Sequence, residues 1–447
     1  MSLIFSGSPV QSQIADLLPC NDGEKSLLTY SLIQSLGLLS KFDYIIEKPW
    51  CTAKDINKFH SKAYTDILLD KFHNRNSVNI EENNNDDDAD DPNYNEMAIT
   101  YYTYMDSINE NHDKKNPPYF KNKEDLINYI RETFHYFTND GNELEKESVN
   151  RNEHGTRKDK YCNDTLIKYG LMYDCPIFKY LPIYCYIVTG ATLEIVSEMI
   201  RISKHSRSFG KTNIGINWDG GRHHANRNKA SGFCYVNDIV LAIQKFRRSS
   251  SFNKITYLDF DLHHGDGVEN AFKISSNVQT ISIHHADIGF FPGTGTETQK
   301  DIENQIYNFV LPSNTKDESL YAIVVDKIIP IINTFNPQIL VILCGGDGLR
   351  NDDYNLWKLS IKGLTKCIME VIKKFNETVE HCLLLGGGGY NNIDMAKFYS
   401  YLTYNVVKFV KPDHQVLDNE YEEELFTFIP EHAFLKNYSA NYYRFFT

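Results

Sequence analysis

The 447-residue sequence contains no CxxC pair, and its nine cysteines, at positions 20, 51, 162, 175, 185, 234, 344, 367 and 382, are odd in number. That pattern argues against a disulfide framework and against a four-cysteine zinc site. No run of about 18 apolar residues occurs, so no membrane-spanning helix is expected. The opening MSLIFSGSPVQSQIADLLP has no basic stretch ahead of its apolar residues and does not read as a signal peptide. Basic residues are outnumbered: 46 Lys and Arg stand against 59 Asp and Glu, a formal charge of −13. Such a balance argues against binding to a nucleic-acid backbone, which needs a basic face. No internal repeat is apparent. These absences predict an intracellular protein without direct membrane or nucleic-acid partners, and they do not separate nucleus from cytoplasm.

What is present reads as one globular domain over 1–447, with two polar insertions. The first, at about 74–95, contains EENNNDDDADD and is too poor in apolar residues to bury a core. The second, at about 109–160, is loop-like at its ends, with helical spacing of Leu126, Ile130 and Phe134 between them. From about Leu171 the texture changes to short apolar runs: NIGINW (213–218), KITYLDF (254–260), VQTISI (278–283), YNFVL (307–311), QILVIL (338–343) and CLLLG (382–386). Each has the character of a buried parallel strand. Helical patterns separate several of them, at 232–247, about 317–334 and 360–375. The alternation predicts a doubly wound α/β fold, a mostly parallel sheet with helices on both faces. In such sheets ligands gather beyond the C-terminal strand ends, and the unusual polar residues of this chain follow those ends.

In Asp259-Phe-Asp-Leu-His-His-Gly-Asp266, the residues Asp259, Asp261 and His263 recur at period two at a strand end, so extended backbone points them to one side. Asp347, in Gly-Gly-Asp-Gly after the 338–343 strand, supplies a third donor. Asp261, His263 and Asp347 then form a three-ligand site with a position open for water, as catalytic zinc requires, and manganese or ferrous iron also suits the set. A lone Asp after a strand is often only a helix cap, but buried carboxylates at this density need cations or imidazoles. His223 and His224, after the 213–218 strand, suggest acid–base chemistry, with Asp259 and Asp266 left to fix their tautomers. Gly386–Gly389 lack a P-loop's Lys-Ser/Thr and present Tyr390, whose phenol could donate to developing oxyanion charge.

These motifs resemble the class I zinc-dependent histone deacetylases, and among them the small fungal HOS-type enzymes, over essentially the whole chain outside the insertions. The segments that carry the resemblance are KFHSKAYTDIL (58–68), YDCPIF (173–178), GRHHA (221–225), ASGFCYVNDIVLAI (230–243), LDFDLHHGDGVENAF (258–272), FFPGTG (290–295) and LLLGGGGY (383–390). It implies a single-domain arginase/deacetylase-like fold with about eight strands and hydrolysis of N-ε-acetyl-lysine on histone tails or on another chromatin protein such as a cohesin subunit. Asp261, His263 and Asp347 match the Zn2+ ligands, with Fe2+ as the alternative metal in vivo. Asp259 would hold His223, and Asp266 would hold His224; His224 would activate water, and Tyr390 would stabilise the oxyanion. Gly232, Phe233 and Phe291 match the lysine channel, Tyr354 its lining, and Asp174 the rim residue that grips the substrate backbone. Structural K+ would bind at Asp259, Asp261, His263, Ser282 and Ile283, and at Phe272, Ser275, Val278 and Tyr307. The resemblance also implies a role in chromatin and transcriptional repression, in the nucleus and also in the cytoplasm.

The sequence departs from the family pattern near the chemistry. Lys25 stands where an arginine often lies beneath the zinc, Arg222 replaces a Leu or Trp, and Tyr354 replaces a Leu or Met. From these we expect Arg222 to take over part of that arginine's work, hydrogen-bonding backbone carbonyls and guiding acetate away from the metal, with a geometry that the ammonium of Lys25 cannot reproduce. Asp353 and Ile393 occupy positions that hold arginines in inositol-phosphate-binding relatives, which argues against a corepressor partnership of that kind. An acetylpolyamine amidohydrolase, a two-manganese ureohydrolase and a non-enzymatic scaffold are the competing readings. Tyr390 weighs against the ureohydrolase, Asp174 against the polyamine enzyme, and the full ligand set against the scaffold.

Overall fold

The computed structural model describes residues 1–21, 24–70, 161–178, 180–205, 210–249, 252–412, 424–438 and 443–446; both polar insertions lie outside them. The six apolar runs are all strands: β3 (Asn213–Asn217), β4 (Ile255–Asp259), β5 (Val278–His284), β7 (Ile306–Val310), β8 (Ile339–Leu343) and β9 (His381–Leu385). Almost every residue in them is buried, which is why they read as unbroken apolar runs instead of alternating patterns. Three further strands, β1 (Leu3–Ser6), β2 (Tyr44–Ile46) and β6 (Gln299–Asp301), complete a nine-stranded sheet ordered β2-β1-β3-β9-β8-β4-β5-β7-β6. The sheet is therefore one strand wider than the eight expected. All its pairings are parallel except β6 with β7. The edge strands β2 and β6 are three residues long and partly exposed, so they carry no buried-strand signal.

The register explains where the site must lie. Asn217 pairs with Leu385, Leu385 with Leu343, Leu343 with Asp259, and Asp259 with Ser282, so four central strands and β5 run in step. The chain leaves β3, β9, β8 and β4 at one edge of the sheet, and the polar motifs begin at those exits.

Helices cover both faces. One core joins Ile214, Ile216, Leu258, Ile342 and Leu384 to the helices Lys25–Ser35, Ile361–Phe375 and Asn392–Val410. The other joins Ile4, Tyr257, Val341 and Leu383 to Leu181–His205 and Asp238–Arg248. Leu181–His205 is long and apolar enough to cross a membrane, yet most of its apolar window is buried inside the protein, as suits a core helix. The helix expected over 232–247 begins only at Asp238, because Asn237 caps it by accepting from the Val240 amide at 3.0 Å. Residues before the cap form a loop in which Gly232 and Phe233 both have positive φ, 53° and 61°. The helical pattern at 317–334 is Asp317–Ile323 and Ile329–Phe335 joined through a π-helical turn, Val324–Ile328.

Candidate active site

The loop after β4 brings Asp261 and His263 to Asp347, which follows β8. One donor atom from each lies within 4.8 Å of the other two, and all three residues are buried. His263 Nδ1 is 2.9 Å from Asp347 Oδ2 and 3.2 Å from Asp261 Oδ1. The carboxylates are aimed by the backbone: the Gly388 amide donates to Asp261 Oδ2 at 2.6 Å, and the Leu262 amide to Asp347 Oδ1 at 2.8 Å. Glycine is required around them. A Cβ on Gly388 would stand 2.4 Å from Asp347 Oδ2, and one on Gly345 would stand 2.5 Å from Asp261 Oδ2. Burial and the neighbouring Asp261 push the Asp347 carboxyl up to about 7, although His263 pulls it down. Burial works against the ionised form of Asp261 too, but His223 and His263 outweigh it and hold its pKa well below the usual range. Two carboxylates and an imidazole converging in a buried cradle fit a single divalent cation.

The histidine pair sits directly beside this cradle. His223 Nδ1 bonds Asp259 Oδ2 at 2.8 Å, and His224 Nδ1 bonds Asp266 Oδ1 at 2.8 Å, as the sequence suggested. The two rings are 3.8 Å apart, too close for both to be cationic. Burial lowers both pKa values, but Asp259 and Asp261 overcome it at His223, which rises to about 9. At His224 burial and the adjacent His223 prevail over Asp266, and the pKa falls to about 4. The pair therefore holds one proton on His223 and leaves His224 neutral, with Nε2 free to accept.

The loop bearing the pair is held from behind. Asn237 Nδ2 donates to Ala225 O at 2.9 Å, and the Asn237 amide donates to His60 Nε2 at 3.0 Å. Burial depresses His60 to about 4. Above pH 6.5 His60 is neutral whether folded or unfolded. Below it the unfolded chain takes up a proton that the folded chain refuses, so stability is lost as pH falls toward 4. At pH 5 that loss is about 2 kcal/mol. The stability difference between wild type and His60→Gln, followed by urea unfolding, should narrow by about that amount from pH 7 to pH 5. A difference independent of pH would contradict the assignment.

Tyr390 lines the same cleft as the histidine pair. Its amide donates to Asp352 Oδ2 at 2.7 Å, and the Tyr354 amide donates to Asp352 Oδ1 at 3.0 Å, so one buried carboxylate fixes both tyrosines. Sequence reading missed Asp352, because an Asp in the polar run RNDDYN has no pattern that separates it from a loop residue. Burial, then Asp347 and Asp261, push the Tyr390 phenol well above its ordinary pKa, so it stays a donor. The Tyr354 ring lies edge-on to His263 at 4.8 Å and 5.4 Å from Tyr390.

Gly232, Phe233, His224, His263 and Tyr390 line one narrow cleft with the Asp261 carboxylate. Phe291 stands edge-on to His224 at 4.8 Å, and Phe233 lies 5.9 Å from Tyr390. A Cβ on Gly232 would meet His224 Cδ2 at 2.5 Å and the Phe291 ring at 2.8 Å, which explains glycine there. Phe290, also missed, stacks flat on His263 at 5.0 Å. Asp174 lies exposed at the rim and accepts from the Gly232 amide at 2.6 Å. The residues of the expected monovalent-cation sites divide between two places: Asp259 and Ser282 pair across β4 and β5, whereas Phe272, Ser275 and Val278 form the turn between Asp266–Phe272 and β5.

Lys25 and Arg222 both line the inner end of this cleft, with Cys20 and Asn21. Their division of contacts differs from the expected one. Lys25 Nζ itself donates to the Gly387 carbonyl at 3.2 Å, and Arg222 Nη2 donates to the Asp219 carbonyl at 2.7 Å. Burial, then the nearby Arg222, lowers the pKa of the Lys25 ammonium.

A parallel sheet whose strand ends gather a three-ligand cation cradle, a proton-sharing histidine pair and a buried phenol defines a hydrolase of the arginase/deacetylase fold. The chain belongs to the histone deacetylase family: the family's "Histone deacetylase domain" matches residues 18–406. It is 39% identical over 463 aligned residues to "Histone deacetylase HOS1" of Saccharomyces cerevisiae (strain ATCC 204508 / S288c), an alignment covering 99% of this chain and 93% of that protein. It is 37% identical over 279 residues to "Histone deacetylase 8" of Xenopus laevis, covering 62% of this chain and 77% of the other. With "Histone deacetylase 1" of Homo sapiens the identity is 39% over 235 residues, or 52% and 45% of the two chains.

Proposed function

We propose that the protein is a zinc-dependent lysine deacetylase that hydrolyses N-ε-acetyl-lysine on histone tails or another chromatin protein such as a cohesin subunit, within the nucleus. The observation that carries this reading is that His224, its Nδ1 bonded to Asp266 at 2.8 Å, lines one cleft together with Tyr390 and the Asp261 and His263 donors of the cradle. Asp261, His263 and Asp347 would hold the Zn2+, with Fe2+ an alternative; when bound, the ion polarises the amide carbonyl and makes water a nucleophile near neutral pH. Phe233 and Phe291 suit the methylene stem of the lysine, and Asp174 at the rim suits the substrate's backbone N–H groups. His224 Nε2 takes the proton of the attacking water, since Asp266 keeps its Nδ1 as the donor side. The charge on His223, held by Asp259, stays in place and favours the anionic transition state. The Tyr390 hydroxyl donates to the oxygen on which charge develops, and His224 returns its proton to the departing amine. Potassium at the two expected sites would brace β4, β5 and the turn before β5.

The competing reading is an acetylpolyamine amidohydrolase, and substrate choice separates the two. Turnover of an acetyl-lysine peptide should exceed that of N-acetylputrescine by at least about tenfold in kcat/KM, because the rim contact to a peptide backbone adds a charge-assisted hydrogen bond. The reverse preference would replace the deacetylase reading. In cells, acetyl-lysine sites that rise when Tyr390→Phe replaces wild type, read by mass spectrometry, would identify the substrate.

A further inference from the structure

Behind the His224–Asp266 pair lies a second cleft of about 540 Å³, separate in its lining from the substrate channel. Its walls include Asn57, Phe59, Arg227, Asn228, Gln244 and Asn270, and among the described residues no carboxylate lines it, although the chain carries 13 more acidic than basic residues. Lys58, at the edge, is paired with Asp55 at 2.6 Å. Arg227 is exposed and makes no side-chain hydrogen bond or ion pair among the described residues. Arg248 adds a second positive charge at the border, where its Nη2 donates to Gln244 Oε1 at 3.1 Å and to the Lys58 carbonyl at 3.3 Å. Gln244 and Asn57 use their amide oxygens as acceptors, the latter from Thr65 Oγ1 at 2.6 Å, and among the described residues neither amide nitrogen donates a hydrogen bond. Many N–H donors, two guanidinium groups and one aromatic wall suit a small organic phosphate, whose oxygens can accept more of these donors than one carboxylate can. The space holds more than a bare phosphate ion and lies within the range of ligand sites.

The floor of this cleft is the backbone that positions the histidine pair. Asn226 lines it and donates through Nδ2 to the His224 carbonyl at 2.9 Å. Gly267 lines it next to Asp266, packed so closely that a Cβ would meet His223 O at 2.5 Å and Ala225 O at 2.8 Å. We propose that this cleft is a regulatory site for a small organic phosphate, and that its occupancy is transmitted to His224 through Asn226 and Gly267. The transmission rests on the deacetylase reading above; the binding does not.

Phenyl phosphate is the probe, benzoate its carboxylate counterpart, and sulfate the control for an inorganic oxyanion. Calorimetry on the metal-loaded full chain should show saturable phenyl phosphate binding that Arg227→Ala weakens by at least about tenfold, the loss of one bidentate charge-assisted contact. Asn270→Ala provides a second, independent reduction should Arg227→Ala fold poorly. Phenyl phosphate should also change kcat for an acetyl-lysine peptide at least twofold with KM little altered, and Arg227→Ala should lose that response while keeping wild-type basal turnover. Absence of binding, binding of equal strength in both variants, or equal binding of benzoate or sulfate would overturn the site. Binding sensitive to Arg227 with kcat unmoved would overturn the transmission. An inactive protein that still binds phenyl phosphate through Arg227 would count against the deacetylase reading and not against the site.

Discussion

Tyr390→Phe is expected to lower kcat on an acetyl-lysine peptide by on the order of 100-fold or more, while KM and metal content change little. The phenol is kept protonated by its burial and by the carboxylates of Asp347 and Asp261. Its hydrogen bond strengthens only as charge builds on the carbonyl oxygen, so its loss falls on the transition state and not on the bound substrate. The ring itself is anchored independently of the hydroxyl, since Asp352 holds the Tyr390 amide and Phe233 and Tyr354 pack against the ring. The Phe variant should therefore fold and bind as wild type does. Steady-state kinetics with metal analysis check this; turnover within a few-fold of wild type would remove Tyr390 from the chemistry.

Asp347→Asn should abolish turnover by removing an anionic donor from the cradle, and it should do so without unfolding the protein. Without a cation, burial and the neighbouring Asp261 already push the Asp347 carboxyl toward its neutral form, which an amide resembles. The asparagine oxygen can still accept the Leu262 amide that Asp347 Oδ1 accepts. Chelator-treated wild type and Asp347→Asn should melt at nearly the same temperature. Added Zn2+ should raise the melting temperature of wild type alone, since a ligand stabilises the fold in proportion to its occupancy of the native state. A variant that gained the same metal-dependent stabilisation would show that the ion lies elsewhere.

The fold and the site were legible to different depths. Six strands announced themselves because they are buried on both faces, from Ile214 to Leu385. The edge strands Tyr44–Ile46 and Gln299–Asp301 did not, because a short exposed edge imposes no apolar pattern. The cation cradle could be read because the Asp-x-His motif and Asp347 each follow the C-terminal end of a buried strand, and those two strands, β4 and β8, pair in register; the side chains converge through loops that period-two spacing does not describe. How the histidines divide their charge was beyond the sequence: the ring separation and the net of carboxylates around His223 decide it. Asp352 was invisible because its function lies in two backbone contacts, from Tyr354 and from Tyr390 38 residues away. The inner residues Lys25 and Arg222 were placed correctly at the cavity, but which carbonyl each meets depends on the turn geometry of Asp219 and Gly387.

In the proposed reaction one metal ion, held by Asp261, His263 and Asp347, serves the hydrolysis of acetyl-lysine. Its most direct test is acetate release from an acetyl-lysine peptide by metal-stripped protein titrated with Zn2+. Activity should appear from zero and saturate at one equivalent of Zn2+ per chain. Saturation only at two equivalents, or peptide turnover undiminished in the stripped protein, would contradict the account.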